Sequence, residues 1–284
     1  MNATTVPSAP TTPTRTVERD ADATAIRAHT SSLLHDTVTI AGRALRAVPA
    51  DLAAVVPPVL IAFFFFVVNV ATLAPLTERN LTGFDYDAFQ MATAILLGVT
   101  GVSRAPALVL DVQNGYMDRL LMTPVRRAAI LLGHMAADVA IAAVLTVPIV
   151  VFGFVLGVRF ESGPLGVVAF VLIASLWSLA FSGFGYAIAL KTGNPAAVQS
   201  AFLLFFPFLF LTSSYVPRDQ LSGWLDTVAG FNPVTYILDG LRSLTLEGWV
   251  WGDLAATAAA VGVVAALSMT MCFTALRKRV ATGA

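Results

Sequence analysis

Six apolar stretches divide this chain, and they fix the class of fold open to it. A helix rises 1.5 Å per residue, so roughly 20 mostly apolar residues cross the ~30 Å hydrocarbon layer of a bilayer. The pattern predicts spans at about 52–76, 88–110, 128–158, 165–190, 196–211 and 254–276. A large domain in water is the competing explanation for so much apolar sequence. It needs about a quarter of its residues charged, whereas this chain has 12% charged and 57% apolar residues. The expectation is an all-α integral membrane protein with six transmembrane helices.

Arginine and lysine orient the set. With the N-terminus inside, Arg15, Arg19, Arg27, Arg43, Arg46, Arg104, Arg119, Arg126, Arg127, Lys191, Arg277, Lys278 and Arg279 lie on the cytoplasmic side. Only Arg79, Arg159, Arg218 and Arg242 lie outside. This positive-inside bias predicts a multi-pass membrane protein with both termini cytoplasmic. Net charge is zero, which gives no bulk attraction for nucleic acid. The single cysteine, Cys272, rules out an intrachain disulfide and a cysteine-rich metal site.

Residues 1–24 are rich in Thr, Pro and Ala and lack the apolar core of a signal peptide, so they read as a disordered cytoplasmic tail. Over 25–48, Ile26, Leu33, Leu34, Val38, Ile40, Ala44, Leu45 and Val48 recur at near-helical spacing, with charges between them. That pattern predicts an amphipathic helix in the membrane interface, with a solvent helix packed on a partner as the alternative.

Two loops are longer than a helical bundle needs, and long ordered loops tend to carry function. In the cytoplasmic one, Ala107 to Val139, charged Asp111, Asp118, Arg119, Arg126 and Arg127 alternate with apolar residues. Gly115 allows a bend, Thr123 suits an N-cap, and Pro124 suits the first turn of the next helix. Two readings stay open: a docking surface for a soluble partner, or a solvated reversal. The external stretch, Thr212 to Asp253, has apolar residues at helical spacing but is broken by Pro217, Gly230 and Pro233. Short helices dipping back into the outer leaflet would satisfy it, with Trp224, Trp249 and Trp251 as an interfacial belt.

Polar groups inside the spans are candidates for function. His134 and Asp138 lie one turn apart in the third span, as a proton relay, a structural pair or a partner contact. Asn69 either packs across helices or faces a path. Phe202, Phe205, Phe206, Phe208 and Phe210 either line a path or face lipid. Gly98, Gly101, Ser103 and Arg104 interrupt the second span. The sequence lacks a GxxxxGK[ST] loop, has scattered Ser, His and Asp, and shows no metal-ligand cluster, so neither nucleotide chemistry nor catalysis is expected in this chain.

Three stretches resemble the type-2 ABC-transporter permeases, in particular the daunorubicin-resistance-like exporter group. DVQNGYMDRLLMTPVRRAAILLGHMAADV resembles the family's cytoplasmic loop, although Asp111-Val112-Gln113 is less acidic than in many members. GNPAAVQSAFLLFFPFLFLTSSYVPRDQLSGWLDTVAGFNPVTYILDGLRSL resembles its fifth span and outer re-entrant region, with Gly223-Trp224 where Pro-Trp is usual. GVRFESGPLG is a weaker third match. The resemblance covers roughly residues 35 to 280 and makes 25–280 one permease domain.

It implies a membrane permease working with a separate ABC ATP-binding subunit, where ATP and magnesium would be held, and with a second permease copy in the lipid bilayer. Asp111, Gly115, Asp118, Arg119, Leu120, Thr123, Pro124 and Arg126 would contact the ATPase. Asn69, Phe202, Phe206 and Phe210 would line the path, and Asn232, Pro233, Thr235 and Arg242 would form the outer re-entrant signature. The implied substrate is a hydrophobic drug-like or lipid-like molecule. A polysaccharide or glycolipid is the nearer alternative, and an ATP-independent secondary transporter the more distant one.

Overall fold

Local capping chemistry and glycine turns decide where this apolar chain starts and stops its helices. The computed structural model describes residues 32–50, 52–80, 83–116, 127–203 and 205–282. The helices are α1 (Leu33–Arg46), α2 (Leu52–Asn80), α3 (Tyr86–Thr100), α4 (Ala105–Gln113), α5 (Arg127–Leu156), α6 (Gly163–Thr192), α7 (Pro195–Leu203), α8 (Phe205–Phe210), α9 (Trp224–Phe231), α10 (Pro233–Leu246) and α11 (Trp251–Thr282). Ser32 caps α1 by accepting from the His35 N–H, and Asp85 caps α3 by accepting from the Ala88 N–H at 2.9 Å. Gly193 closes α6 in the left-handed region, φ 58°, and gives the tight reversal expected at KTGNP.

Five units are long and apolar enough to cross a membrane: Val55–Arg79, Tyr86–Gln113, Ala128–Leu156, Gly163–Thr192 and Trp251–Arg279. Their outward faces are apolar, with Leu60, Phe64, Val144 and Val155 all exposed. A water-soluble bundle does not leave long helices bare in this way.

Three expectations change. The second span, predicted as one helix over 88–110, is two helices, because the chain leaves helical geometry between Thr100 and Ala105. The fifth, predicted over 196–211, falls on the apolar helix Pro195–Phe210, described as α7 and α8 on either side of residue 204, which is shorter than the five crossing helices and is followed by the buried non-helical stretch Thr212–Ser214. The amphipathic helix predicted over 25–48 runs from Leu33 to Arg46 within the described residues. The tail, 1–24, lies outside them.

The interior is divided. One hydrophobic core joins Phe66, Met91, Ile95, Phe170, Trp177, Phe205, Ile237 and Leu241. A second, at the end carrying α1, joins Ile40, Leu108, Ile130, Leu131, Met135, Tyr186, Leu190 and Cys272. Between Trp224 and Leu246 lie two short helices, as the broken apolar pattern predicts, and α10 buries most of its side chains.

α1 lies against α5 with almost no space between them. A Cβ added at Gly133 would stand 2.6 Å from the Cβ of Ile40. Gly133→Val should therefore push α1 off its seat and destabilise the protein by ~1–3 kcal/mol, the usual scale of overpacking. A lower melting temperature in detergent, with Ile40→Gly partly restoring it in the double variant, is the expected result.

Candidate functional site

Three polar assemblies occupy the bundle, one at each end and one between the two cores. At the α1 end, Arg43 projects from the last turn of α1 and donates to Asp111 Oδ2 of α4 at 2.6 Å. The same guanidinium stacks 4.2 Å above the Tyr116 ring. His134 of α5 brings Nε2 to 3.5 Å from Asp111 Oδ2 without completing a hydrogen bond, although its side chain is only 2% exposed. Gln113 donates to the Gly193 carbonyl at 2.9 Å, tying α4 to the α6–α7 turn. Gly115 has φ 68° and makes the expected bend directly after α4. Of the predicted coupling residues, Asp111 and Gly115 are placed here. Asp118, Arg119, Leu120, Thr123, Pro124 and Arg126 lie outside the described residues.

At the opposite end, all four signature residues converge. Asn232 caps α10, accepting from the Val234 N–H at 3.0 Å, and donates to the carbonyls of Phe208 and Leu211. Pro233 opens α10 at the position where its missing N–H costs nothing. Thr235 pairs with Thr212 and donates to the Ala229 carbonyl at 2.7 Å. Arg242 is 6% exposed and donates to Phe89 O at 3.2 Å, Ser213 Oγ at 3.1 Å and Thr93 Oγ1 at 3.0 Å, with its guanidinium 3.5 Å over the Phe89 ring. These acceptors are neutral oxygens, so the planar fork spreads its charge over several dipoles. Phe89, Thr93, Ser213 and Ser214 carry no motif of their own in the sequence. Their role becomes visible only once Arg242 is placed.

Asn69 donates back to the Phe65 carbonyl at 2.7 Å within α2 and lines a cavity of about 10 Å³, room for one water, between α2, α3 and α8. Phe206 and Phe210 line it too, their rings stacked 6.1 Å apart. Phe202 packs edge-on against Phe206 at 5.2 Å. Three of the predicted path residues therefore share one cavity, and Phe202 is adjacent to them. Gln90, absent from the sequence expectation, also lines it, and its Oε1 is buried without a partner. A glutamine between Phe89 and Met91 in an apolar run was the available signal.

The expected His134–Asp138 pair does not form. Asp138 is fully buried between the cores and accepts from the Arg104 N–H at 2.7 Å, from the Tyr186 hydroxyl at 2.7 Å and, more distantly, from Ser103 Oγ at 3.5 Å. His134 faces Asp111 instead. Neighbouring positions on one helix face gave the expectation, and partners from other helices displaced it.

A multi-pass helical membrane protein with a charged cross-link at one end and a buried arginine hub at the other is thus defined. Residues 40–246 match the ABC-2 type transporter family, and the chain belongs to that family. It is a membrane permease subunit of an ABC transporter. It is 28% identical over 263 residues to the daunorubicin resistance ABC transporter permease protein DrrB1 of Streptomyces coeruleorubidus, covering 89% of each chain. It is 23% identical over 202 residues to the probable doxorubicin resistance ABC transporter permease protein DrrC of Mycobacterium tuberculosis (strain CDC 1551 / Oshkosh), covering 70% of this chain and 72% of that one. A putative transport permease, ycf38, of Cyanophora paradoxa is 25% identical over 179 residues, covering 62% and 60%.

The arginine hub can be checked directly. Arg242→Lys keeps the charge but loses the fork, so at least one buried oxygen is left without a donor. A loss of about 2 kcal/mol is expected, read as a lower melting temperature and faster proteolysis between 211 and 223. A variant as stable as the parent would show that the hub contributes little.

Proposed function

We propose that this chain is the permease of an ATP-driven exporter, which carries a hydrophobic drug-like or lipid-like substrate along a path formed with a second permease copy. The observation that carries this reading is the cross-link at the α1 end. Arg43 and Asp111 join the amphipathic helix to the segment leading into residues 117–126, where the family resemblance puts the ATPase contact. The Arg and Lys bias supports this end as cytoplasmic, with both termini there, in a bacterial inner membrane. Residues 1–24 are then a cytoplasmic tail, and 25–280 the permease domain. α7, α8 and the link 211–216, buried at Thr212–Ser214, complete a sixth crossing, and α9 and α10 dip back from the outer side. Asn69, Phe202, Phe206 and Phe210 are the path residues, and Gln90 adds a polar contact among them. ATP and magnesium bind on the partner subunit. The drug-resistance names of two relatives and the aromatic lining favour a hydrophobic substrate over a glycan.

The reading is tested by co-expressing the chain with an ABC ATP-binding subunit, purifying the complex and following ATP-dependent movement of a lipophilic fluorescent dye in proteoliposomes. Joint purification and ATP-dependent transport are expected. Ion-gradient transport by the permease alone would replace this reading with the secondary-transporter one.

The cross-link has a test of its own. Both its side chains are partly exposed, so the pair is worth only ~0.2–1 kcal/mol of stability. Arg43→Glu should leave melting nearly unchanged but cut transport per ATP by about tenfold, the scale of a coupling energy. Asp111→Arg should do the same, and the double swap should restore coupling. Arg119→Glu and Pro124→Gly should likewise uncouple hydrolysis from transport while leaving membrane insertion intact, as judged by membrane fractionation.

A further inference from the structure

The two larger hydrophobic cores meet at one level of the bundle, and four spans carry polar or small residues there, beside a small apolar cluster of Val55, Val102 and Ile141. α6 passes from Ala180 in one core to Tyr186 in the other through Ser182, Gly183 and Gly185. α5 passes from Ala142 to Met135 through Asp138. α11 passes from Val264 to Cys272 through Ser268, which donates to the Ala180 carbonyl. The second span passes from Val99 to Ala105 through 101–104, where it ceases to be helical. A cavity of about 30 Å³ lies at the same level, lined by Thr100, Ser103, Phe181, Ser182, Gln199 and Phe202.

Close-packed cores transmit motion as solid bodies, whereas a thin layer of hydroxyls, glycines and void space between them yields more easily. The break in the second span is also well supported. Trp177 Nε1 donates to Thr100 Oγ1 at 2.7 Å, Ser178 donates to the Val99 carbonyl at 3.2 Å, and Asp138 takes the Arg104 N–H. Burying a carboxylate here is costly, and an apolar side chain would serve stability as well.

We propose that this layer is the bending plane of the permease and that Asp138 is a positioning residue, pinning the α3–α4 break so that α1, α4 and the start of α5 move as one cytoplasmic body against the outer core. The proposal rests on the ATP-driven permease reading. Force arriving at the Arg43–Asp111 cross-link then turns α4 about the Asp138 pin, and the outer core is displaced as a unit. Without the pin, α4 moves alone and hydrolysis is wasted.

The test uses the permease in complex with its ATP-binding subunit in proteoliposomes. Asp138→Asn gives the side chain an NH2 where it now only accepts, so one of its donors loses its acceptor. Transport per ATP hydrolysed should fall about tenfold while ATP hydrolysis continues. Tyr186→Phe removes one donor only and should cause a smaller loss in the same direction; it decides the matter if Asp138→Asn does not fold. Spin labels are placed at exposed positions in a Cys272→Ala background, because the native cysteine is the only one. The pair Leu110–Val168, across the plane, should change distance on adding ATP and magnesium, and the pair Val38–Leu110, within the cytoplasmic body, should not.

Wild-type transport per ATP in both variants, or equal distance changes in both label pairs, overturns the proposal. If the unmodified complex shows no ATP-driven transport, the permease reading itself falls and takes the bending plane with it. Intact transport with a rigid Leu110–Val168 distance removes the bending plane alone.

Discussion

A peptide group at membrane depth has no water to bond, so wherever the helix ladder stops, protein must supply the partner. The two interruptions at 101–104 and 211–216 are answered by opposite charges. At the first, Asp138 receives the Arg104 N–H. At the second, Arg242 donates to the Ser213 hydroxyl and, at 3.5 Å, to the Ser214 carbonyl, which also accepts from Thr93. An anion meets a freed donor, and a cation meets freed acceptors. Each charge has local dipoles to stabilise it, which lowers the cost of keeping it out of water. The placement of α3, α5, α6 and α10 around these two groups follows from that need.

Division of the interior into two cores follows from the same constraint. Serine, glycine and aspartate at the level of Asp138 cannot join an apolar cluster, so the two larger clusters end on either side of it, and Val55, Val102 and Ile141 form a small cluster of their own. α1 belongs wholly to one side, seated on α5 through Gly133 and Ile40. α10 belongs wholly to the other, with Ile237, Leu238, Leu241 and Leu244 in the larger core. The ABC-2 family match spans both, from residue 40 to residue 246.

Much of this was legible in the residues. Hydropathy predicted six spans, and five of them fall on helices long and apolar enough to cross, because periodicity and length act locally. Gly101, Ser103 and Arg104 marked the interruption of the second span, and Pro233 and Gly193 marked turns that the chain makes. The partners were not legible. Tyr186 lies 48 positions beyond Asp138, and Phe89 lies 153 before Arg242. No spacing rule reaches that far, so His134 was matched with its helical neighbour rather than with Asp111. Arg43 read as one charge on an amphipathic face, and only the packing of α1 against α4 and α5 gave it a carboxylate and an aromatic ring.

Arg242 also bears on the order in which the protein can be made. Every residue its guanidinium donates to, Phe89, Thr93, Ser213 and Ser214, precedes it in the chain. Synthesis runs from the N-terminus, so the oxygens that receive the guanidinium are already made when it emerges. The most buried cation at its end of the bundle thus meets oxygens that were made before it. Were the order reversed, the same arginine would sit unpaired in lipid while its partners were still being made.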